Sequence, residues 1–269
     1  MFVFGEFPLN SDNMHRARTY RTEAVILRRL EYGEADRILT LFTPDLGKLR
    51  VLAKGIRRPA SRKAGHLELF TRTDLFLARG REMDLVTQAA TLEAFRPLRE
   101  DLYRTSCASY AVELLDKFTQ DQDDNRPLYE LLVRILGWLG ESPDPALSLR
   151  YYELQLLALV GYRPELQRCV RRKEPIRAED QFFSAAGGGV ICPTCGPETP
   201  GALPISMAAL KMLRHLQRTS YAEATAARVR PLVQAELERV TQHYITYLLE
   251  RRLKSVEFLR LVRHGANAE

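Results

Sequence analysis

Three of the four cysteines have the spacing of metal ligands. Cys192 and Cys195 form a C-x-x-C knuckle, and Cys169 lies upstream with twenty-two residues between it and Cys192. Thiolates in such knuckles hold zinc in structural sites. A complete zinc ribbon has two C-x-x-C pairs, but the position three after Cys169 is Arg172, which cannot bind a divalent cation. We therefore predict a site with three thiolates, Cys169, Cys192 and Cys195, that holds Zn2+ and needs one more donor.

The fourth donor stays open at this point. Glu174, Asp180, Glu198, a histidine or water could complete the site, and the sequence does not choose among them. The alternative is that the cysteines are the remnant of a site that no longer binds metal. The remaining cysteine, Cys107, lies in a helical pattern as a small core residue, which together with the knuckle favours metal chemistry over disulfides.

A second chemical signal is a run of positive charge. The segment Gly47–Ala64 carries seven Lys and Arg side chains and no Asp or Glu. Cations this close repel one another, so a polyanion such as a phosphodiester backbone is the partner that would neutralise them. The alternative is a solvated charged surface. We predict the following DNA-binding residues: Arg37, Lys48, Arg50, Lys54, Arg57, Arg58, Arg62 and Lys63.

Charge and composition narrow the class of protein. Residues 15–100 hold eighteen Lys and Arg against eleven Asp and Glu, whereas residues 101–269 are almost balanced, so the basic character belongs to the N-terminal third. The length of 269 residues suggests two domains. With 45% hydrophobic and 28% charged residues the chain is neither disordered nor membranous. Residues 1–13 lack the features of a secretory signal, so we expect a cytoplasmic protein, and DNA as its partner would make it nucleoid-associated.

Short strand-like segments fill the N-terminal third. Five of them within some seventy residues indicate a small barrel, and they lie at Ala24–Leu30, Arg37–Phe42, Lys48–Ala53, Leu67–Leu77 and Glu82–Leu92. Turns are predicted at Thr43–Gly47 and Arg79–Gly80. Gly55, Pro59 and Ser61 interrupt the alternation of apolar and polar residues in the third strand. We therefore predict that a mobile basic loop, exposed to solvent, follows this strand. Three aromatic residues could stack on bases or fill the core, and we favour the core: Phe42, Phe70 and Phe76.

From Asp101 the hydrophobic period becomes helical. Helices are predicted at residues 102–118, at 127–139 with Pro127 in the first turn, at Leu147–Val160, at Met207–Arg218 after an N-cap at Ser206, and from Leu232 to about Leu253, followed by a short tail at Ser255–Leu259. The Leu147–Val160 helix is apolar nearly all round, which places it in the centre of a bundle. Regular periodicity vanishes between Gly161 and Leu203, where the cysteines lie.

Several of these segments together resemble the bacterial RecO family of recombination-mediator proteins. The residues are GEADRI at 33–38 through Thr43, GK at 47–48 and AKGIRRPASR at 53–62; then GYRPELQRC at 161–169, FS at 183–184, GGVICPTC at 188–195 and LKS at 253–255. They follow the family order across about residues 20 to 259. Two features depart from the pattern: Arg172 stands where the family commonly has a second cysteine, and residues 1–13 precede the usual start, so that Met14 is an alternative initiator.

The resemblance implies an α+β multidomain architecture. In that reading 1–14 is a flexible extension, 15–99 is an OB-fold β-barrel, and 100–269 is a helical bundle with a zinc-finger-like insert at 162–203. It also implies binding of single- and double-stranded DNA and annealing of single strands. The implied partners are RecR, the tail of single-stranded DNA-binding protein and, indirectly, RecA, with no membrane.

Enzymatic readings fit the sequence poorly, and we expect no catalysis. His66-Leu67-Glu68 matches the H-x-E of zinc deaminases, but more than a hundred residues separate it from the C-x-x-C knuckle. The acidic residues are dispersed, and Asp121, Asp123 and Asp124 read as an exposed turn between helices. No P-loop is present. Two classes remain: a DNA-binding recombination mediator, and an OB-fold RNA-binding or translation accessory protein.

Overall fold

The computed structural model describes residues 18–266, with side chains to residue 263, so the expected extension at 1–14 lies outside the described residues. Two compact units are present. The first contains residues 18–94 together with Asp121–Arg126, and the second contains Phe95–Gln120 and the chain from Pro127 onward. Within the described chain, none of the helices combines the length and the apolar character that crossing a bilayer requires.

Five strands close into a barrel in the first unit, in the order β1-β2-β3-β5-β4, as the strand pattern predicts. Their bounds are β1 Thr19–Tyr32, β2 Asp36–Thr43, β3 Gly47–Ala53, β4 Arg72–Ala78 and β5 Asp84–Glu93. Neighbours run antiparallel, apart from a short parallel pairing in which Val51 opposes Asp84 and Leu52 opposes Leu85. The barrel core consists of side chains from alternate positions that are at most 1% exposed, including Leu39, Leu41, Val51, Ala53, Leu75, Leu77 and Val86.

The segment before β4 differs from the prediction of a strand from Leu67. Residues Ala64–His66 form a 3-10 helix, and β4 begins only at Arg72. Phe70 has φ 65, a left-handed conformation that an extended strand cannot contain. Leu67 and Phe70 instead turn inward and are 0% and 5% exposed. Phe42 is also buried, as predicted, but the prediction for Phe76 was wrong because it faces outward on β4 and is 37% exposed.

The acidic segment Asp121–Arg126 contains the exposed turn between helices that the sequence predicts, with Asp121, Asp123 and Asp124 all exposed, and it also packs against the barrel. Asp121 makes a parallel bridge to Lys48 of β3, and the amide of Gln122 donates to the Lys48 carbonyl at 3.0 Å. Gly47 adopts φ +58 at this contact, and a Cβ there would lie 2.1 Å from the carbonyl oxygen of Asp123. Glycine is therefore required at this position.

The second unit is mainly helical. Its helices are α1 Pro97–Glu100, α2 Leu102–Phe118, α3 Arg126–Glu141, α4 Pro145–Leu159, α5 Met207–Arg218, α6 Tyr221–Ala226, α7 Pro231–Leu249 and α8 Lys254–Ala266. The predicted cap is confirmed, since Ser206 Oγ accepts from the amide of Ala209 at 3.1 Å. α7 ends four residues before Leu253 because Glu250 adopts φ 53.

Helix α4 is buried nearly all round, as its apolar sequence predicts. It also buries an ion pair that the periodicity hides: Arg150 Nη2 lies 2.7 Å from Glu153 Oε1, with the two side chains 2% and 0% exposed. Tyr110 of α2 donates to the same carboxylate at 2.5 Å. Polar groups in the centre of a bundle need partners of this kind, because an unpaired buried charge is strongly unfavourable.

The C-terminal tail is a full helix, α8, and not the short Ser255–Leu259 segment predicted. Glu113 of α2 accepts hydrogen bonds from the amides of Lys254 and Ser255, which are the first residues of α8. Arg263 Nη1 lies 2.5 Å from Glu238 of α7. The cap from Glu113 and the ion pair between Arg263 and Glu238 stabilise α8. Both contacts join residues on different helices, so the local sequence of the tail does not predict them.

The cysteine segment contains a small three-stranded sheet in the order β7-β6-β8. The strands are β6 Gln181–Ser184, β7 Gly189–Ile191 and β8 Leu203–Ile205. Gly189 lies so close to the Glu165 backbone that a Cβ would meet its carbonyl oxygen at 2.3 Å. This close approach ties the segment before Cys169 to β7, which leads directly into Cys192.

Candidate nucleic-acid interface and metal centre

The basic loop, residues 54–63, is a series of hydrogen-bonded turns on the barrel. The amide of Gly55 donates to Asp36 Oδ1 at 2.7 Å, and the amide of Arg57 donates to the Ala35 carbonyl at 2.9 Å. Ile56 is 1% exposed and belongs to the barrel core. One buried side chain and two hydrogen bonds, to Ala35 just before β2 and to Asp36 at its start, thus anchor the start of the loop.

Four of the predicted DNA-binding residues are exposed on this loop: Lys54, Arg57, Arg58 and Arg62. Arg57 Nη1 lies 3.3 Å from Glu31, which leaves its side chain 35% exposed. Among the described residues, no ion pair holds Lys54, Arg58 or Arg62. These side chains are free to contact an external polyanion.

The other four predicted residues are engaged on the barrel. Lys48 Nζ lies 3.8 Å from Asp121, and its side chain is only 10% exposed. Lys63 Nζ donates to the Val86 carbonyl at 2.8 Å, and burial lowers the pKa of Lys63 while Asp36 opposes that shift. The remaining two residues of the set are less confined: Arg37 lies 4.0 Å from Glu31, and Arg50, which is 66% exposed, lies 3.8 Å from Asp121. Sequence spacing alone does not reveal these acidic neighbours.

The three cysteines meet as the spacing predicts. The Sγ atoms of Cys169, Cys192 and Cys195 all lie within 4.8 Å of one another. In a tetrahedral zinc–thiolate site, Zn–S bonds of about 2.3 Å place the sulfurs about 3.8 Å apart, so only a small contraction is needed. The donor set therefore fits zinc.

Tight turns position the thiols. After β7, the amides of Cys195 and Gly196 both donate to the Cys192 carbonyl at 3.0 Å, which forms the knuckle. On the other side, the amide of Lys173 donates to the Cys169 carbonyl at 2.7 Å. The backbone thus directs both turns toward a common point.

Electrostatics distinguish the thiols. Burial acts to raise the pKa of Cys169, but hydrogen bonds from the amides of Arg172, Cys192 and Arg171 outweigh it and lower the pKa to about 7. Burial and the two neighbouring thiols raise the pKa of Cys195 to about 11. Backbone amides that point at a thiol stabilise its thiolate form, which is the form that binds metal.

The carboxylates considered as fourth ligand all have other partners. Glu174 lies 3.4 Å from Arg172, Glu198 lies 3.6 Å from Arg171, and Asp180 Oδ1 accepts from the amide of Met207 at 2.8 Å. Within the described part of the chain, the cluster contains the three cysteines and no other Cys, His, Asp or Glu. The side chain of Arg172 is exposed, whereas its backbone amide donates a hydrogen bond to the thiol of Cys169.

His66 has a structural role on the barrel. Its Nδ1 lies 2.9 Å from Thr91 Oγ1 and accepts from the Thr91 amide at 3.2 Å. Its carbonyl accepts from Thr73 Oγ1 at 2.7 Å. The H-x-E match is thus accounted for by hydrogen bonds that join the 3-10 helix to β4 and β5.

Comparison with known proteins covers both units. A family model described as Recombination protein O N terminal matches residues 14–95, and one described as Recombination protein O C terminal matches residues 99–257. The chain belongs to the RecO family. The N-terminal RecO match spans the five barrel strands, and the C-terminal RecO match spans the cysteine cluster but ends within α8.

Curated RecO proteins resemble the chain over most of its length. DNA repair protein RecO of Roseiflexus sp. (strain RS-1) is 43% identical over 248 residues, which is 92% of this chain and 87% of that protein. DNA repair protein RecO of Dehalococcoides mccartyi (strain BAV1) is 36% identical over 250 residues, 93% of this chain and 98% of that protein. The protein of the same name from Symbiobacterium thermophilum is 37% identical over 247 residues, 91% and 98% respectively.

Proposed function

We propose that this RecO-family chain is a recombination mediator in DNA repair. In this proposal it binds single- and double-stranded DNA, promotes annealing of complementary strands without ATP and, with RecR, helps load RecA onto strands coated with single-stranded DNA-binding protein. Family membership supports the DNA-repair setting, and the resemblance described above supplies the partners. The five-stranded barrel is inferred to be an OB fold, an architecture that binds oligonucleotides.

The basic loop is the observation that carries the DNA-binding part of the proposal. Lys54, Arg57, Arg58 and Arg62 extend from an anchored turn and have no acidic residue within the loop. Cations in this arrangement neutralise phosphates and release counterions. Repulsion between two phosphate backbones opposes the pairing of single strands. Neutralisation lowers that barrier, so annealing by this route requires no catalytic side chain and no nucleotide.

Zinc is the proposed metal of the cysteine cluster. Cys169, Cys192 and Cys195 would hold it, and water would take the fourth position because the nearby carboxylates have other partners. Bound zinc supplies a structural cross-link between the turn after Cys169 and the knuckle after β7. A segment with so little apolar core depends on such a link for its folding.

Strand annealing tests the proposal. Complementary fluorescent oligonucleotides are mixed with the protein without ATP, with and without single-stranded DNA-binding protein, across a range of salt concentrations. We expect faster annealing at low salt and a steep fall as salt rises. Tight binding with an unchanged annealing rate would leave only a passive binding module. Competition between matched DNA and RNA strands separates the mediator from an RNA-binding accessory protein, since recognition of the 2′-OH distinguishes the polymers.

A further inference from the structure

The outer surface of the barrel carries an apolar row that runs across four strands. Leu30 of β1 lies opposite Ile38 of β2, Ile38 lies opposite Leu52 of β3, and Leu52 lies opposite Leu85 of β5. We call these four residues the outer ladder. Their sequence neighbours, such as Leu39, Val51 and Val86, point into the barrel and are buried. Alternation along a strand therefore places the outer ladder on the opposite, solvent-facing side.

Exposure of the outer ladder is greatest at β1. Leu30 is 60% exposed, and Tyr32, two residues further along the same face, is 53% exposed. The other three ladder residues are half-buried. A single exposed leucine is ordinary on a protein surface. The four residues of the outer ladder differ because residues directly opposite on adjacent strands have Cβ atoms about 5 Å apart, so together they form one continuous apolar strip.

Cationic groups lie on both sides of the strip. On one side, the next outward row contains Arg28, Thr40 and Arg50, which are also directly opposite one another. On the other side, Tyr32 lies opposite Asp36, and Asp36 accepts from the amide of Gly55 at the start of the basic loop. The apolar strip and its exposed tyrosine thus run between an arginine row and the loop that carries Lys54 and Arg57.

We propose that the outer ladder and Tyr32 form a track for the unpaired bases of single-stranded DNA. Single-stranded nucleic acid combines a polyanionic backbone with flat apolar bases, and the surface offers cations beside an apolar strip with a ring at its end. Base–aromatic contacts are tolerant of sequence because every base has a π-face. The proposal rests on the proposed function, and it adds that the barrel distinguishes single strands, whose bases are accessible, from duplexes, whose bases are stacked inside.

The test replaces exposed residues, so that a change in DNA binding does not result from a disrupted barrel core. Leu30→Thr and Tyr32→Ala are made singly and together. Tyr32→Phe, which keeps the ring, and Leu92→Thr, which replaces a 47% exposed leucine of β5 outside the outer ladder, are the matched controls. Affinities for an oligothymidine and for a duplex of equal length are measured at several salt concentrations, and thermal unfolding confirms that each variant is folded.

The double variant is expected to bind the single strand about tenfold more weakly, with duplex affinity and the salt slope unchanged, because it removes base contacts and no phosphate contacts. The controls should bind like the parent. An oligonucleotide that carries 5-iodouracil should crosslink to Tyr32 on irradiation. Unchanged single-strand affinity, an equal decrease for both DNA forms, or crosslinks confined to other residues would overturn the track. If the parent protein bound neither DNA form, the proposed function would fail as well.

Discussion

The carboxylate of Glu113 accepts a hydrogen bond of 2.7 Å from the amide of Ser255, 142 residues away in sequence. The same carboxylate accepts from the amide of Lys254 at 3.0 Å, so a side chain of α2 caps the N-terminus of α8. Burial acts to raise the pKa of Glu113, but the hydrogen bonds from Ser255 and Lys254, with the nearby charge of Lys117, outweigh it and lower the pKa.

This cap predicts a pH-dependent stability. A carboxylate with a lowered pKa in the folded state stabilises the fold above its unfolded value of about 4.3, and that contribution is lost as pH falls through the folded-state pKa. Glu113→Ala should cost about 1–2 kcal/mol at neutral pH and less in acid. Urea unfolding at a series of pH values measures this difference. Glu130→Gln, at an exposed position of α3, is the control and should leave the pH profile unchanged.

The buried pair of α4 predicts a strong asymmetry between single and double substitutions. Arg150→Met leaves Glu153 buried without its cation and should lower the free energy of unfolding by about 3–5 kcal/mol. Replacement of both residues, Arg150→Met with Glu153→Leu, removes the unpaired charge and should recover most of that stability. Urea denaturation of the parent, the single variant and the double variant measures the free energy of unfolding of each. A double variant as unstable as the single one would contradict this account.

The basic loop predicts a change in salt dependence. Arg57→Glu with Arg58→Glu should weaken binding of all DNA sequences about equally. The slope of log affinity against log salt should flatten by about one for each phosphate that the variant no longer neutralises. Arg134→Glu, on the exposed face of α3, serves as control. A salt slope that stays at the parent value would show that these arginines do not bind phosphates.

Zinc occupancy is measured directly. Elemental analysis of protein purified without chelators should find about one zinc per chain, and Cys195→Ser should abolish it. Limited proteolysis should then cut between residues 169 and 199, while the barrel still binds DNA. Cys107→Ala, which replaces the buried thiol of α2, should retain the metal. A parent protein without stoichiometric zinc would refute the assignment.

Asp121 should weaken DNA binding by the barrel. Its carboxylate lies 3.8 Å from both Lys48 and Arg50, so Asp121→Asn leaves more positive charge for a polyanion. We expect DNA affinity at low salt to rise about twofold and stability to fall by at most about 1 kcal/mol, since the pair is partly exposed. Asp124→Asn, in the same segment, is the control. Equal effects of the two substitutions would argue against a role for the ion pairs of Asp121.

The local sequence predicted those structural features that depend on hydrophobic periodicity and on short motifs. The alternation in Leu49–Ala53, the cap at Ser206 and the meeting of the three cysteines all follow from spacing within a short stretch. Features that depend on distant partners were missed, namely the Arg150–Glu153 pair in an apolar helix and the full length of α8. The left-handed Phe70, which ends the extended run before β4, is also invisible because aromatic residues normally favour strands.

The sequence predicted which residue types form the candidate site, but it predicted less well which of their side chains are free to bind a ligand. Every cation of the basic segment counts equally in a charge sum, yet Lys48 pairs with Asp121 and Lys63 donates to the Val86 carbonyl. Arg58 and Arg62 have no such partner in the part of the chain that the structure describes. The outer ladder went unpredicted for a related reason: Leu30, Ile38 and Leu52 come together only through strand register, which one sequence does not contain.

The segment Asp121–Arg126 has a consequence for any attempt to isolate the barrel. It covers part of β3 through the bridge from Asp121 and the hydrogen bond from Gln122 to the Lys48 carbonyl. A fragment that stops near residue 95 contains all five strands but not this cover. The bare rim of β3 would then be open to pairing with a second molecule, so we expect such fragments to self-associate.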